Sequence, residues 1–396
     1  MEVLFGKIQF FKDGITVRRP ARGVFLIDSF GSGGAQRQFV ELVTSIDRRR
    51  VTPFVVTYYD IPFFRKQLLD AGVEHVCLAK WDKLGITFLV KWVMFLKKNR
   101  PDFIHSFLNI PNFYARLAKF LGFVPMVITS ERNISLTDSR ELVILEKMFW
   151  RLSDRIIANA WGVREVLTRE IEIPDEYITV IHNGVATDRF RQPCFNRVAE
   201  IRAKSGASHE NCVLVGMIGR VLKQKNQLGL LHAMAKIKSK DGSLPFRVGF
   251  WGSEPDSEYA ALVRNTATAL ILDPHVTYFE PEEDVASVYA ACDIVVLPSL
   301  WEGFPNVVLE AMSAGRVVVA SDIVDNAHII DNGRNGFIVR PGDVEDLSRV
   351  IVNVLGLSKD ERRKIELRAE ERVLTSFSLQ KMVQSTMDVY KELGLC

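Results

Sequence analysis

The stretch WEGFPNVVLEAM, from Trp301 to Met312, joins a predicted strand to a predicted helix. The apolar run just before it, residues 293–298 (DIVVLP), is typical of a short buried strand that ends at a proline. Residues 306–314 have helical character, and Pro305 suits the start of a helix because a missing N–H costs nothing there. The stretch therefore predicts a strand, a short loop and a helix in direct succession.

Two carboxylates stand eight positions apart in this stretch. Glu302 follows the carboxyl end of the strand, and Gly303 beside it lets a backbone approach a ligand closely. Glu310 lies one turn into the helix, and its side chain leans back toward the helix start. A helix start suits a phosphate, while neighbouring carboxylates suit hydroxyl groups. Phosphate and hydroxyl groups together predict a site for a sugar nucleotide.

Length and composition indicate a globular protein with two domains. The chain has 396 residues, of which 47% are hydrophobic and 25% are charged. Its five cysteines are scattered without a CxxC pair, which favours reduced thiols in the cytoplasm and argues against a structural zinc. The first residues lack the apolar core of a signal peptide, and no apolar run is long enough to span a bilayer. We expect a cytoplasmic protein that is soluble or peripheral to the membrane.

Positive charge is concentrated in the N-terminal half. Residues 1–200 hold 29 Lys and Arg against 22 Asp and Glu, and residues 201–396 hold 22 against 26, so the halves carry +7 and −4. Most of the excess positive charge lies before residue 121. This part of the sequence holds 19 basic and 10 acidic residues. A basic half suits an anionic partner such as a membrane surface, a phosphorylated acceptor or nucleic acid. A basic solvated surface explains the same count equally well.

Strand-like and helix-like runs alternate in two similar halves, which predicts an α/β fold of two doubly wound, Rossmann-like domains facing each other across a cleft. The predicted strands span residues 23–28, 52–57, 103–105, 126–129, 155–158, 212–219, 246–251, 275–279, 294–297 and 317–320. We assign an N-terminal acceptor-binding domain to residues 1–190, a linker to 191–211, a C-terminal donor-binding domain to 212–375 and a helix crossing back to 376–396.

Two loops after predicted strands contain candidate phosphate-binding groups. Arg220 and Lys225 follow the first strand of the second half, on the rim that should also hold Glu302. Two fixed cations there could hold a diphosphate and offset the charge that grows on a departing nucleotide, although an isolated basic loop is usually only solvated. The loop containing Gly33 and Gly34 follows the first strand of the chain, and turn formation explains it about as well as anion binding.

His105 and Arg132 are candidates for the acceptor side. His105 stands where the strand 103–105 gives way to a loop, and it could act as a general base or bind an acceptor hydroxyl or phosphate. The simpler interpretation is a polar residue at a strand end whose hydrogen bonds are made within the protein. Arg132 follows the strand 126–129 and could bind an acceptor phosphate or pair with Glu131 at the surface.

Residues 84–100 (LGITFLVKWVMFLKKNR) predict an aromatic helix with a basic end. Leu84, Phe88, Trp92 and Phe95 fall on one face of this helix. The composition suits an interfacial helix that touches anionic lipid. A buried helix with basic residues at its C-terminal end is the competing interpretation.

Four motifs together resemble those of the family-four retaining glycosyltransferases of the GT-B fold. They are GGAQRQ at 33–38, VIHNGV at 180–185, the GR…K loop at 219–225 and EGFPNVVLEAM at 302–312. The resemblance covers nearly the whole chain, from about Val24 to Leu393. It implies retention of the donor's anomeric configuration without a metal, because the cations and the helix start serve instead.

The resemblance also implies a role for each matching residue. Glu302 and Glu310 correspond to the two glutamates of the EX7E pattern, which contact the transferred sugar and the nucleotide ribose. We expect catalysis from Glu302, Lys225, Arg220 and His105, and acceptor binding from His105, Arg132 and Asn183. The expected donor-binding residues are Gly33, Gly34, Gly219, Arg220, Lys225, Gly252, Glu302, Gly303, Phe304, Pro305, Asn306 and Glu310.

The resulting expectation is a retaining glycosyltransferase with a UDP-linked donor and a lipid-linked or cell-envelope saccharide as acceptor. We expect no cofactor, no metal and no nucleic-acid partner, and peripheral contact with an anionic membrane on its cytoplasmic face. A sugar-nucleotide epimerase and a non-catalytic sugar-nucleotide-binding protein of the same fold remain alternatives. An NAD-dependent Rossmann enzyme is disfavoured because a GxGxxG motif with a downstream acid is absent.

Overall fold

The computed structural model describes residues 19–396, apart from positions 32, 81, 83, 84, 133–139, 209–211, 242, 243 and 324. Predictions that involve the first residues of the chain, Ser32 in the glycine loop, Leu84 on the aromatic helix or the end of the linker at 209–211 lie outside the described residues.

The N-terminal half builds one parallel sheet covered by helices on both faces. Its strands are β1 (Ala21–Leu26), β2 (Val51–Thr57), β3 (Glu74–Cys77), β4 (Phe103–Phe107), β5 (Val127–Glu131), β6 (Arg155–Ala158) and β7 (Ile178–Val180). Their order across the sheet is β3-β2-β1-β4-β5-β6-β7. Strands β4 and β5 are buried along their whole length, as expected for central strands of a sheet with two covered faces. The helices are α1 (Gly34–Ser45), α2 (Arg65–Asp70), α3 (Ile86–Asn99), α4 (Asn109–Phe120), α5 (Arg140–Phe149) and α6 (Trp161–Arg169).

The C-terminal half repeats this arrangement. Its strands are β8 (Val213–Ile218), β9 (Phe246–Trp251), β10 (Val276–Phe279), β11 (Ile294–Leu297), β12 (Val317–Ser321) and β13 (Phe337–Val339), in the order β10-β9-β8-β11-β12-β13. Its helices are α7 (Phe195–Lys204), α8 (Gln227–Asp241), α9 (Ser257–Ala269), α10 (Val285–Ala291), α11 (Asn306–Ser313), α12 (Asn326–Ile329), α13 (Val344–Leu355), α14 (Lys359–Ser376) and α15 (Leu379–Glu392).

The strand order reverses once in each sheet, between β1 and β4 and between β8 and β11. Chain segments leave the two strands in opposite directions at such a point, and a crevice opens beyond the carboxyl ends of the strands. The prediction of two doubly wound, Rossmann-like sheets is therefore confirmed. The strands that the sequence did not reveal, β3, β7 and β13, are short and lie at the edges of the two sheets. Each is only partly buried, so none shows the continuous apolar run of a central strand.

A helix lies within the stretch predicted as a linker. Helix α7 occupies residues 195–204, and Arg202 on it donates to the carbonyl of Ala291 at 2.8 Å and to Asp293 at 3.1 Å. These hydrogen bonds attach α7 to the second sheet, so this segment is a structural part of the C-terminal half.

The last helix crosses back to the N-terminal half. The backbone N–H of Leu379, at the start of α15, donates to the carbonyl of Val185 at 2.9 Å. Near the end of the same helix, the ring of Tyr390 packs 5.1 Å from that of Phe103, measured between centroids. The C-terminal segment therefore completes the core of the first sheet.

Helix α3 turns its predicted aromatic face inward. Phe88 and Trp92 are fully buried, and the Trp92 indole N–H donates to the carbonyl of Tyr114 at 3.3 Å. This agrees with the competing interpretation of the helix as a buried one, because these rings cannot reach a membrane. Among the described residues, no helix combines the length and apolar character needed to cross a bilayer.

The structure corrects the assignment of His105 to the cleft. His105 lies in the middle of β4, not at its end, and it is fully buried. Its Nδ1 is 2.6 Å from the Tyr390 hydroxyl and its Nε2 is 2.9 Å from the Ser130 hydroxyl. Burial lowers its pKa to about 3, with a smaller contribution from the charge of Arg132. A neutral imidazole with both nitrogens engaged is a core residue and cannot serve as a general base for a bound acceptor.

We therefore predict that His105→Phe destabilises the fold without impairing the chemistry. The substitution leaves the Tyr390 and Ser130 hydroxyls without their partner, which should cost about 1–3 kcal/mol in the free energy of unfolding. Urea unfolding measures this loss, and a transferase assay normalised to folded protein should show unchanged turnover. Tyr390→Phe is the matched control, because it removes one of the same hydrogen bonds and keeps the imidazole. Loss of turnover in His105→Phe alone, at full stability, would contradict the structural assignment.

Candidate active site

The loops that follow β8 and β11 meet at the switch point of the second sheet. Lys225, in a 3-10 turn at Lys223–Lys225, forms an ion pair with Glu302. The Ser299 hydroxyl donates to the same carboxylate at 2.7 Å, and the Gln224 amide lies 3.3 Å from its other oxygen. Three side chains thus fix the position of Glu302.

Little solvent reaches this ion pair. The Lys225 side chain is 13% exposed and that of Glu302 is 7% exposed. Charges that are removed from water are tolerated when they are paired and hydrogen bonded, and they interact strongly with any ligand that enters. Arg220 is different: its side chain is exposed and forms no ion pair with another described residue. The structure therefore offers one paired and one exposed cation on the same loop.

A close approach of two backbones shapes the neighbouring wall. A Cβ atom at Gly252, after β9, would lie 2.1 Å from the carbonyl oxygen of Gly219, after β8. No side chain fits such a gap, so the glycine is required for the two loops to meet. The predicted donor residues Gly219 and Gly252 consequently lie side by side at the carboxyl edge of the second sheet.

Glu310 lies one turn into α11, at the boundary between the two halves. Its Oε1 accepts a hydrogen bond from Arg37 of α1 at 2.6 Å, and its Oε2 accepts one from the Tyr289 hydroxyl of α10 at 2.8 Å. Glu310 is 8% exposed and Tyr289 is fully buried. The carboxylate therefore stands at the edge of the seam between the halves, with one donor from each half.

The glycine loop of the first half meets the start of α11. A Cβ atom at Gly34 would lie 2.8 Å from the side-chain amide of Asn306, which is the first residue of α11. The Asn183 amide donates to the Asn306 side chain at 2.7 Å, and Arg132 donates in turn to Asn183. Pro305 precedes the first helical residue. Candidate residues from four separate parts of the sequence thus meet at one helix start.

Arg132 is a buried cation that does not form the predicted pair with Glu131. Glu131 instead interacts with Arg116 and Asn112, whereas Arg132 is 9% exposed and packs 4.5 Å from the centroid of the Phe107 ring. Its Nε is buried without a hydrogen-bond partner, and no carboxylate of the described residues pairs with it. Burial lowers its pKa to about 9, and the guanidinium remains charged at neutral pH. Such a group is suited to an anion.

A small cavity of about 10 Å³, room for roughly one water molecule, lies in the seam beside Glu310. Glu41 lines it one turn after Arg37, and Arg189 lines it from the opposite side. Burial raises the pKa of Glu41 to about 7, while the charges of Arg37 and Arg189 act in the opposite direction. Charged side chains from both halves therefore line one small cavity.

Four residues that position the carboxylates escaped the sequence analysis: Arg37, Gln224, Ser299 and Tyr289. Arg37 lies inside the motif GGAQRQ, and its positive charge near the start of a helix, where the dipole disfavours a cation, was the available signal. Ser299 and Tyr289 gave no signal, because a serine after a strand and a tyrosine on an apolar helix are ordinary core residues. Only the fold shows that their hydroxyls reach Glu302 and Glu310.

Two family models match the chain and together span most of it. The model described as Glycosyltransferase Family 4 matches residues 32–189, and the model described as Glycosyl transferases group 1 matches residues 212–356. The chain belongs to the family-4 glycosyltransferases. The two matches coincide with the two sheets, and the fold of this glycosyltransferase is GT-B.

Individual relatives and structures agree with this assignment. The chain is 26% identical over 318 residues to the UDP-Gal:alpha-D-GlcNAc-diphosphoundecaprenol alpha-1,3-galactosyltransferase of Escherichia coli, covering 76% of this chain and 78% of the relative. It is 26% identical over 307 residues to the D-inositol 3-phosphate glycosyltransferase of Saccharomonospora viridis, covering 74% and 70%. The structure is similar to that of Anabaena HepE in complex with UDP-glucose, with a TM-score of 0.81, 21% identity and coverage of 94% of this chain and 100% of HepE.

Proposed function

We propose that this glycosyltransferase moves a sugar from a UDP-linked donor to a phosphate-bearing, lipid-linked or cell-envelope saccharide, with retention at the anomeric carbon. The observation that supports this most directly is the pairing of Lys225 with Glu302 at the switch point of the second sheet. The complex of the similar Anabaena HepE with UDP-glucose supports a UDP-linked donor.

In this proposal the donor lies along the rim of the second sheet. Lys225 and Arg220 bind the diphosphate together with the start of α11, where helix N–H groups favour an anion. Glu302 accepts hydrogen bonds from the transferred sugar, and Glu310 accepts them from the ribose. Gly219, Gly252 and the loop at 303–306 let backbone groups come close to the phosphates.

Departure of the nucleotide is the step that these residues would accelerate. The bond between the anomeric carbon and the diphosphate breaks while negative charge grows on the departing oxygen, and Lys225 and Arg220 stabilise that charge. The acceptor hydroxyl then attacks from the same face and gives its proton to the departing diphosphate oxygen, which retains the configuration. We propose that no metal is needed, because the two cations and the helix start supply the positive field.

Arg132 supports an acceptor that carries phosphate. Its buried guanidinium has an unused Nε and reaches the cleft through Asn183, on the N-terminal side of the helix start. The names of two relatives specify a diphosphate-linked sugar and an inositol phosphate as substrates. We propose that Arg132 binds the phosphate nearest to the accepting sugar, with Asn183 beside it.

The outer face of α3 supports contact with an anionic membrane. Ile86, Val90 and Met94 recur every four residues on that face and are 58%, 55% and 66% exposed. Lys97 and Lys98 follow in the last turn. Exposed apolar side chains next to basic ones favour the interface of an anionic bilayer. We propose that the enzyme works at the cytoplasmic membrane surface, with this face instead of the aromatic one against the lipid.

We predict that Glu302→Gln and Lys225→Ala each lower turnover by about two orders of magnitude or more, because each removes charge from the reacting centre. Turnover is measured with a panel of UDP- and GDP-sugars, and NMR of the product reports the anomeric configuration. EDTA should leave the rate unchanged. Lys236→Ala, on an exposed part of the second half, is the control for a lost lysine. Near-normal turnover in either variant would contradict the proposal, and interconversion of the donor sugar without transfer would indicate an epimerase.

We predict that Arg132→Gln weakens the use of phosphorylated acceptors selectively. A lost charge-assisted hydrogen bond should lower kcat/KM for such an acceptor by about 10- to 100-fold, with little change in donor affinity. The assay compares one sugar acceptor with and without its phosphate. Arg264→Gln, an exposed arginine of the second half, is the control. An equal loss with both acceptors would argue against a phosphate site.

We predict that the double substitution Val90→Glu and Met94→Glu abolishes binding to anionic vesicles, because it adds negative charge to the apolar face. Flotation with phosphatidylglycerol vesicles measures binding, and phosphatidylcholine vesicles test the charge dependence. Leu367→Glu, at a position on α14 that is 48% exposed, controls for a surface glutamate. Undiminished flotation of the double variant would exclude this face as the contact.

A further inference from the structure

We infer that Arg37 and Tyr289 are positioning residues for nucleotide recognition: they hold the Glu310 carboxylate so that one acceptor position on each oxygen faces the ribose. The inference rests on the proposed function, in which Glu310 binds the ribose of the donor. It assigns a role in donor recognition to two residues, one from each half of the chain. The donor itself need not contact either residue.

The carboxylate of Glu310 is held at both oxygens. Arg37 donates to Oε1 at 2.6 Å and Tyr289 donates to Oε2 at 2.8 Å. Two donors on two different oxygens fix the plane of a carboxylate, since rotation about its last bond would break both hydrogen bonds. Because Glu310 is 8% exposed, little water is at hand to replace either donor.

The remaining hydrogen-bonding capacity matches a diol. A carboxylate accepts about four hydrogen bonds, two on each oxygen. Arg37 and Tyr289 use one on each, and no other described residue bonds to the second position of either oxygen. The adjacent 2′ and 3′ hydroxyls of a ribose can each donate one hydrogen bond. A carboxylate held in this way therefore distinguishes a ribose from a deoxyribose.

The Tyr289 hydroxyl is placed to donate a hydrogen bond to Glu310. It is fully buried, and its ring packs 5.7 Å from that of Phe190 between centroids. Burial, followed by the charge and the hydrogen bond of Glu310, raises its pKa well above the usual value, so the phenol keeps its proton. A hydroxyl that always carries its proton and faces a carboxylate can only donate.

Arg37 reaches Glu310 because two helix starts touch. Gly34 of α1 and Asn306 of α11 approach so closely that a Cβ at Gly34 would be 2.8 Å from the Asn306 amide. Arg37 lies one turn after Gly34, and Glu310 lies one turn after Asn306. The glycine thus allows Arg37 of one half to reach the Glu310 carboxylate of the other. Glu41 is a second acidic neighbour of Arg37 between the halves.

The test compares the affinities for UDP and 2′-deoxy-UDP by calorimetry. Wild type should bind UDP about 10-fold or more tightly than the deoxy form, since a site built for a hydroxyl rejects the analogue that lacks it. Arg37→Met and Tyr289→Phe should each reduce this preference to about 3-fold or less, by weakening UDP binding and sparing the deoxy form. Arg37→Lys should restore part of the preference, because it returns the charge without the fixed guanidinium geometry.

Two controls separate positioning from general damage. Tyr278→Phe and Arg264→Met make the same chemical changes at a contact on the far side of the second sheet, where Arg264 lies 4.2 Å from the Tyr278 ring, and should keep the full preference. Thermal unfolding reports whether each variant is folded. A folded Arg37→Met or Tyr289→Phe protein with the wild-type preference would overturn the inference.

Failure of the proposed function gives a different result. Glu310→Gln should abolish the preference if the glutamate binds ribose. The ribose role of Glu310 would be refuted if the preference for UDP over 2′-deoxy-UDP survives Glu310→Gln. It would also be refuted if the wild type binds none of UDP, GDP and ADP. In either case the inference about Arg37 and Tyr289 would be refuted as well. A preference lost in Glu310→Gln but kept in both positioning variants would refute only the inference.

Discussion

The close approach of two helix starts, at Gly34 and Asn306, sets the distance between the two halves of this glycosyltransferase. A larger side chain at Gly34 would meet the Asn306 amide, so either that amide or the two helix starts would have to shift. One turn further along each helix, Arg37 and Glu310 come within hydrogen-bond distance because of this approach. The geometry of the candidate site thus depends on a glycine that contributes no chemistry of its own.

A second polar contact, around Asp325, also holds the halves together. Asp325 of the second half is fully buried and accepts hydrogen bonds from the backbone N–H groups of Trp161 and Gly162, at 2.9 and 3.1 Å, at the start of α6. His182 lies 2.8 Å from the same carboxylate. A buried carboxylate without these partners would be very costly, so the halves are favoured in the arrangement that provides them. These polar contacts act together with an apolar cluster that runs through both halves.

The distribution of charge is consistent with a division of labour between the halves. On the rim of the second sheet, each buried carboxylate is held by a cation and by a hydroxyl, which leaves further acceptor positions for sugar hydroxyls. At the end of β5 in the first sheet, the cation Arg132 is buried and lacks a carboxylate partner among the described residues. Hydroxyl-rich and phosphate-bearing groups would therefore be favoured on opposite sides of the α11 start.

The sequence by itself determined the two sheets and the strand ends at which the proposed donor-binding residues lie. Alternating apolar runs and helical segments predicted both domains because parallel strands covered on two faces must be apolar throughout. Glu302, Lys225 and the glycines were identifiable because each lies in a loop that follows a strand, and strand ends of a parallel sheet share one edge. Edge strands such as β3 and β13 were not identified, since they are only partly buried and lack a continuous apolar run.

Only the tertiary structure decided what surrounds these residues. His105 is a core residue and not the expected base, because α15 brings Tyr390 into contact with it from 285 positions further along the chain. The aromatic face of α3 went into the core and the opposite face stayed exposed, although both faces are apolar enough for either place. Arg37 and Tyr289 became partners of Glu310 through contacts between separate elements. Local sequence fixes which edge of a sheet a residue follows, but its neighbours across a seam depend on how distant segments pack, and that information is spread over the whole chain.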